Sequence, residues 1–221
     1  VGYAVLNPAT GTSSNLYVID TLNGHANSLG QIGVAEQVRD IVVATPGDIS
    51  FVSSSYAAAE NGGSAAIGIA RSGGSWGAVS VDFSTSGGTA SSGGDYTSLS
   101  QTVTWLDGEV GVKTLVIPIK SDTLVEGNET VNLTLGNATG GALLLLPSSS
   151  ILTINEPPYQ NWKNLTFGIH ANNPLISGDA VCPAGDGVPN LLKYAAGLYP
   201  FSHAGTARPS ITFSGSKLLL E

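Results

Sequence analysis

The feature that most restricts this chain is a two-residue hydrophobic period that recurs, segment after segment, between residues 47 and 157. Successive side chains of an extended strand point to opposite faces, so apolar residues at alternate positions demand a half-buried sheet. The alternation predicts strands near 49–53, 64–70, 78–84, 101–106, 112–120, 129–136 and 150–155. Their inward sets are Ile67 and Ile69; Val79, Val81 and Phe83; Val103 and Trp105; Leu115, Ile117 and Ile119; Val131, Leu133 and Leu135; Leu152 and Ile154. Turns rich in Gly, Ser and Asp separate them. Seven short strands so punctuated predict an all-β fold, a seven-stranded antiparallel immunoglobulin-like β-sandwich. Pro118 lacks an amide donor, which puts its strand at a sheet edge or a bulge.

The flanks read differently. In residues 1–46, "GYAVL" and "NLYVIDTLNGHANSLGQIG" predict a strand and then a hairpin around Asn23-Gly24, a partial β segment that cannot bury both faces alone. After residue 157 the pattern changes. The paired prolines of "NEPP" read as a linker. "VPNLLKYAAGL" (188–198) predicts a helix, with Pro189 in its first turn and Gly197 at its C-terminal cap. "SITFSGSKLLLE" reads as one apolar strand-like run. The expected division is therefore 1–46, 47–157 and a truncated 158–221. The start lacks the basic head and apolar run of a secretory signal, and no methionine occurs. Both features lead us to expect a piece of a longer protein whose targeting signal lies outside it.

Charge narrows the function. The net charge is −8, and no basic stripe is present to neutralise phosphates, so a nucleic-acid partner is excluded. Cations are the natural partners of such a surface. The longest aliphatic run, Ala142–Leu146, is too short to span a bilayer. Cys182 is the sole cysteine, so no internal disulfide forms, and it reads as a small half-buried hydrophobe. His25, His170 and His203 are scattered, no G-x-S-x-G occurs, and no glycine loop carries Lys-Ser/Thr. No enzymatic activity is expected. Four N-x-Thr sequons, at Asn128, Asn132, Asn137 and Asn164, read as ordinary polar turn and strand residues.

"SDTLVEGNETVNLTL" (121–135) crowds Asp122, Glu126 and Glu129 at the mouth of a strand. Consecutive strands of a sandwich mostly alternate in direction. Counting directions brings Glu60, Asp95, Asp122, Glu126, Glu129 and Glu156 to one end, with Asp107 and Glu109 in the opposite turn and Asp82 off the middle of a strand. Carboxylates sharing a rim repel one another and raise each other's pKa. A hard divalent cation relieves that. Ca²⁺ takes roughly 6–8 oxygen ligands in flexible geometry, whereas softer metals want His or Cys, and residues 47–157 contain neither. A rim of many acids also suits a metal better than a glycosidase pair with pKa values pushed apart. The same spacing fits acids that are merely solvated on loops, and counting alone leaves both readings open.

Three stretches decide further: "AAAENGGSAAIGIARSGG", "VSVDFSTSGGTASSGGDYTSLSQTVTW" and "DGEVGVKTLVIPIKSDTLVEGNETVNLTLGNATGGA". Together they resemble a Calx-beta domain over nearly all of residues 47–157, with "GTA…GGDY" and "SDTLVEGNE" the most specific motifs. The family includes calcium-sensing domains of sodium/calcium exchangers and repeats of large bacterial surface proteins. The resemblance implies calcium held at one tip by Glu60, Asp95, Asp122, Glu126, Glu129 and, at the end of the last strand, Glu156. This chain departs from the family in having Ser121 before Asp122 and Asn155-Glu156 in place of a closing Asp-Asp pair. Fewer formal charges imply fewer or more weakly held ions.

The flanks carry two lesser resemblances. "LYVIDTLNGHANSLGQIG" resembles one blade of propeller-like domains in secreted bacterial proteins. "SGDAVCPAGDGVPNLLKYAAGLYP" resembles a C-terminal calcium-loop-and-helix segment of such proteins. There Asp186, Gly187, Asn190 and Tyr194 match, while Cys182, Ala184 and Lys193 stand where that segment tends to have acids. A lysine among the ligands opposes cation binding, so this loop reads as a structural relic. The expectation is a calcium-binding structural and adhesive module of a larger secreted or cell-surface bacterial protein. Its partners would be calcium ions, neighbouring domains of the same chain, and other surface proteins or glycans. The alternatives are a non-catalytic accessory module of an extracellular enzyme and a metal-free spacer.

Overall fold

The period-two alternation is realised as two sheets sharing one apolar interior. The computed structural model describes residues 2–6, 14–19, 25–32, 45–205, 211–214 and 217–220. The strands are β1 (Gly2–Leu6), β2 (Ser14–Ile19), β3 (Ala26–Ile32), β4 (Asp48–Phe51), β5 (Ser55–Ala59), β6 (Ser64–Ser72) and β7 (Val79–Gly88). They continue as β8 (Ser100–Trp105), β9 (Gly111–Pro118), β10 (Glu129–Gly136), β11 (Leu143–Leu144), β12 (Ser149–Asn155), β13 (Ile211–Ser214) and β14 (Lys217–Leu220). One sheet of the sandwich has the order β5-β12-β10-β7-β8 and the other β11-β4-β6-β9.

Every residue of the inward sets is buried, and they join one cluster that also takes in Ile49, Phe51 and Tyr96. Each fully buried Val, Leu, Ile or Phe contributes about 1.5–3 kcal/mol relative to exposure. Pro118 ends β9, which is an edge strand, so its missing donor breaks no ladder.

Two expectations need correction. Among the described residues the sandwich has a five-stranded and a four-stranded sheet rather than seven strands in all, and two of its pairings, β5 with β12 and β4 with β11, are parallel. The cause lies in "FVSSS". Val52 still donates its amide to the Gly68 carbonyl of β6; beyond it the chain leaves that ladder, the Ser55 amide turns back to Ser53 Oγ at 3.2 Å, and β5 crosses to the edge of the opposite sheet. Serine hydroxyls offer the backbone such local partners in competition with a ladder.

At the pole away from the expected acid rim, Arg71 is only 1% exposed. Its five N–H groups donate to the carbonyls of Pro46, Leu106, Glu109, Trp76 and Gly77 at 2.9–3.2 Å. All its donors are satisfied, which is what makes a buried guanidinium tolerable.

The linker expectation also fails. Helix α1 (Pro158–Phe167) follows directly, with Pro157 as its N-cap. Proline's fixed φ and missing donor suit a first helical turn, so the prolines start a helix rather than an extended spacer. Helix α2 (Asn190–Ala195) is shorter than the expected 188–198, and Gly197 follows it at φ +66°. The single C-terminal run is two antiparallel strands, β13 and β14. At the other end β1, β2 and β3 form an antiparallel meander, and Ile19 pairs with Ala26 across a connection whose Asn23-Gly24 lies outside the described residues. Among the described residues no helix is long and apolar enough to cross a membrane.

Candidate metal centre

Strand direction delivers the acids. β5 ends at Ala59 and runs into Glu60, the first residue of a 3-10 turn, and β12 ends at Asn155 beside it and runs into Glu156. β7 leads into the loop holding Asp95, β9 leads into the loop holding Asp122 and Glu126, and Glu129 opens β10. A bulge where β10 meets β7 draws these stretches together. Gly88 lies so close to the Thr130 carbonyl that a Cβ there would overlap it. Bulges commonly re-aim side chains beside functional sites.

The structure brings all six acids to one pole. One carboxylate oxygen each from Asp95, Glu126 and Glu129 lies within 4.8 Å of the others. Ca²⁺ binds oxygens at about 2.3–2.6 Å, so ligands on opposite sides of one ion stand roughly 5 Å apart. This triad is therefore already at coordinating spacing. Beside it, the Glu60 and Glu156 carboxyls lie within hydrogen-bonding reach of each other, with Asp122 also close. Two carboxylates tolerate that contact only by sharing a proton or a cation.

Local hydrogen bonds hold the acids in place without neutralising them. Ser91 donates to Asp95 Oδ2 through its amide (2.6 Å) and its hydroxyl (2.9 Å). The Asp122 amide donates to Glu60 Oε1 at 3.1 Å. The amides of Glu126 and Gly127 donate to Glu156 Oε2 at 3.1 and 2.8 Å. Glu156 is 8% exposed, its amide donates to Asn128 Oδ1, and its other oxygen, Oε1, is buried and accepts no hydrogen bond. A buried carboxylate oxygen without a donor costs free energy unless a proton or cation meets it.

The electrostatics agree. Burial, then the Asp95 charge and a hydrogen bond to it, pushes the Glu129 carboxyl from 4.5 to about 7. Burial followed by Asp95, Asp122, Glu156 and Glu60 raises Glu126. Burial raises Glu60 too, the Asp122 amide opposing it and the Glu156 and Asp122 charges adding to it. Asp82 and Glu109, away from the rim, behave oppositely. Hydrogen bonds from Thr102 and Asn137 hold Asp82 low, and the Leu106 amide and Lys113 do so for Glu109.

The second loop has found a different answer. Lys193 is fully buried, and its Nζ donates to Asp186 Oδ2 (2.9 Å), the Pro200 carbonyl (2.9 Å) and the Ser202 carbonyl (2.7 Å). The Lys193 hydrogen bond holds Asp186 far below the usual carboxylate range. Asn190 Nδ2 bridges the carbonyls of Ile176 and Gly178, and Tyr194 packs against Tyr159 and Trp162. The motif positions matched in the sequence thus serve internal packing.

Residues missed by sequence reasoning are Ser91, Asn128 and Asn172, each of which positions part of the acid rim through the backbone. "SSGGD" held a signal for Ser91, since serine four residues before a turn aspartate can close on it. Asn128 was visible only as a sequon.

The family described as "Calx-beta domain" matches residues 44–158. Adhesion G-protein coupled receptor V1 of Danio rerio is 40% identical over 86 residues, which are 39% of this chain and 1% of that receptor's length. Among solved structures, the apo-form Calx CBD1 domain aligns at TM-score 0.48 and 25% identity, covering 50% of this chain and 96% of that one. The Calx CBD2 domain aligns at TM-score 0.49 and 14% identity, covering 56% and 95%. With the family match spanning more than half its residues, the chain belongs to the Calx-beta domain family.

Proposed function

We propose that the acid rim is a calcium site and that this chain is a non-catalytic, calcium-stiffened structural module of a larger extracellular or cell-surface protein. Asp95, Glu126 and Glu129 would hold one ion directly, with Glu60, Asp122 and Glu156 completing the oxygen shell. When bound, the cation supplies positive charge that lets these acids ionise together. The observation that carries the reading is the buried, donorless Oε1 of Glu156 in a pole with five other carboxylates. Oxygen-only ligands on loops favour a hard, geometrically tolerant ion. The adhesive part of the role is supported by the receptor relative, of which this chain covers a hundredth. The bacterial setting is supported only by the flanking segments.

At the affinity of extracellular modules, roughly 10⁻⁴–10⁻³ M, millimolar calcium adds about 0.4–1.4 kcal/mol of stability. That stiffens a tip without being a condition of folding. Calorimetric titration of the whole chain should show calcium binding, and a Glu126→Gln/Glu129→Gln variant should bind at least tenfold more weakly. Equal binding by the two proteins would mean that other groups hold the ion.

A further inference from the structure

The loop that carries Asp122 and Glu126 is anchored outside the sandwich. Of its two buried apolar side chains, Ile119 belongs to the sandwich core, but Val125 does not and packs instead with Phe167 and Ala171, flanked by Trp162 and Ile176. Asn172 grips the same residue by its backbone. Its Oδ1 accepts the Val125 amide at 2.7 Å, and its Nδ2 donates to the Val125 carbonyl at 2.9 Å. A side-chain amide paired with both backbone groups of one residue acts like a short strand partner, fixing that residue's position and orientation. Two residues on, Gly127 adopts φ +84° with Asn164 Nδ2 where a Cβ would lie, so helix α1 abuts the loop there too. Glu156, which holds the amides of Glu126 and Gly127, immediately precedes Pro157, the cap of α1. The loop is thus clasped from both sides by residues 156–177, most of which lie beyond the family match at 44–158.

We infer that Asn172 is a positioning residue for the metal centre and that the C-terminal segment around it is coupled to cation occupancy. This rests on the calcium reading above. An ion gripping Glu126 and Asp122 pins their loop at the rim, where Glu126 already stands at coordinating spacing, and the pinned loop holds Val125 and its clasp in place. An open groove of about 260 Å³ between Thr123 and Leu124 on one side and Lys163, Ala171 and Pro174 on the other leaves the loop room to shift when no ion pins it. By linkage the effect is reciprocal: whatever loosens the clasp weakens the ion, and the ion protects the clasp.

Two measurements on the full chain test this. In the unaltered protein, hydrogen exchange of residues 158–177 should slow at least fivefold in calcium relative to chelator, while β7 and β10 interior amides change less. In titration, Asn172→Ala should bind calcium about fivefold or more weakly at unchanged stoichiometry. Val125→Ala should do the same. If the unaltered chain binds calcium but its exchange is unmoved and Asn172→Ala binds equally well, the coupling is wrong and the metal centre stands. If the unaltered chain binds no calcium, both fall. Should Asn172→Ala fail to fold, the exchange result on the unaltered chain still decides.

Discussion

Two places in this molecule gather oxygen atoms that call for a positive charge, and they meet the demand in opposite ways. In the C-terminal loop the chain supplies its own cation. The Lys193 ammonium, fully buried, spends its three donors on Asp186 and two carbonyls, and Asp186 also receives the amides of Val188 and Ala204. At the sandwich rim six carboxylates converge, the donors are a few amides and Ser91, and Glu156 keeps an oxygen without a donor. Arg71 at the far pole repeats the first solution with five carbonyls. A charge satisfied in cis makes a permanent joint. A demand left open makes a joint that depends on what the solvent supplies.

The largest test of this contrast removes the tethered cation. Lys193→Met should leave Asp186 buried beside two orphaned carbonyls, and breaking one partner of a buried pair is strongly destabilising. We expect Tm to fall by roughly 10 °C in a chain of this size, equally in calcium and in chelator, as read by scanning calorimetry. A fall cancelled by millimolar calcium would show that the loop is an exchangeable site after all, and the contrast would be lost.

Next comes the rim itself, where pH and calcium should interact. Glu129 titrates at about 7 in the folded chain against an ordinary 4.5, and Glu60 and Glu126 are displaced the same way. The folded state therefore holds these protons more tightly than the unfolded state. That stabilisation is fully present below pH 4.5 and is lost as pH climbs through about 7. In chelator, Tm should drop between pH 5 and 7.5. In millimolar calcium the drop should shrink, leaving a gap of about 1–6 °C at pH 7.5 that closes toward pH 5 as protons compete for the same oxygens. A calcium effect as large at pH 5 as at pH 7.5 would separate the ion from these carboxylates.

The rim was legible from the chain and the tethered lysine only half so. Glu60, Asp95, Glu126 and Glu156 lie far apart in sequence, yet strand direction alone sums to a shared pole. The break at "FVSSS" did not spoil the sum, because β5 continues the way β4 was heading. Lys193 was visible as an oddity among expected acids, but its burial depends on the carbonyls of Pro200 and Ser202, which follow α2 without any periodic mark. Arg71 sits in β6 where alternation marks an inward position, and one charged residue in an apolar register says nothing about five carbonyls waiting in other loops. Helix α1 was hidden because paired prolines read equally as a spacer and as a first turn. Its aromatic contacts, Tyr159 stacked on Trp162 and Trp162 edge-on to Phe167, emerge only once the turn is formed. Asn172 acts across 47 positions through backbone atoms, a kind of contact that leaves no pattern in side-chain chemistry.

The smallest effect is also the sharpest discriminator between an open demand and ordinary surface charge. Glu129→Gln keeps the side chain's shape and removes the group whose ionisation burial and Asp95 oppose. If the rim is frustrated without its cation, the variant should be more stable than the parent in chelator at pH 7.5, by a degree or two in Tm. The same variant should gain less from calcium, so the two melting curves should cross as calcium is added. A solvated loop carboxylate would give no such crossing: its removal would leave Tm within error in both conditions, and the rim would then be no more demanding of a cation than Asp82 or Glu109.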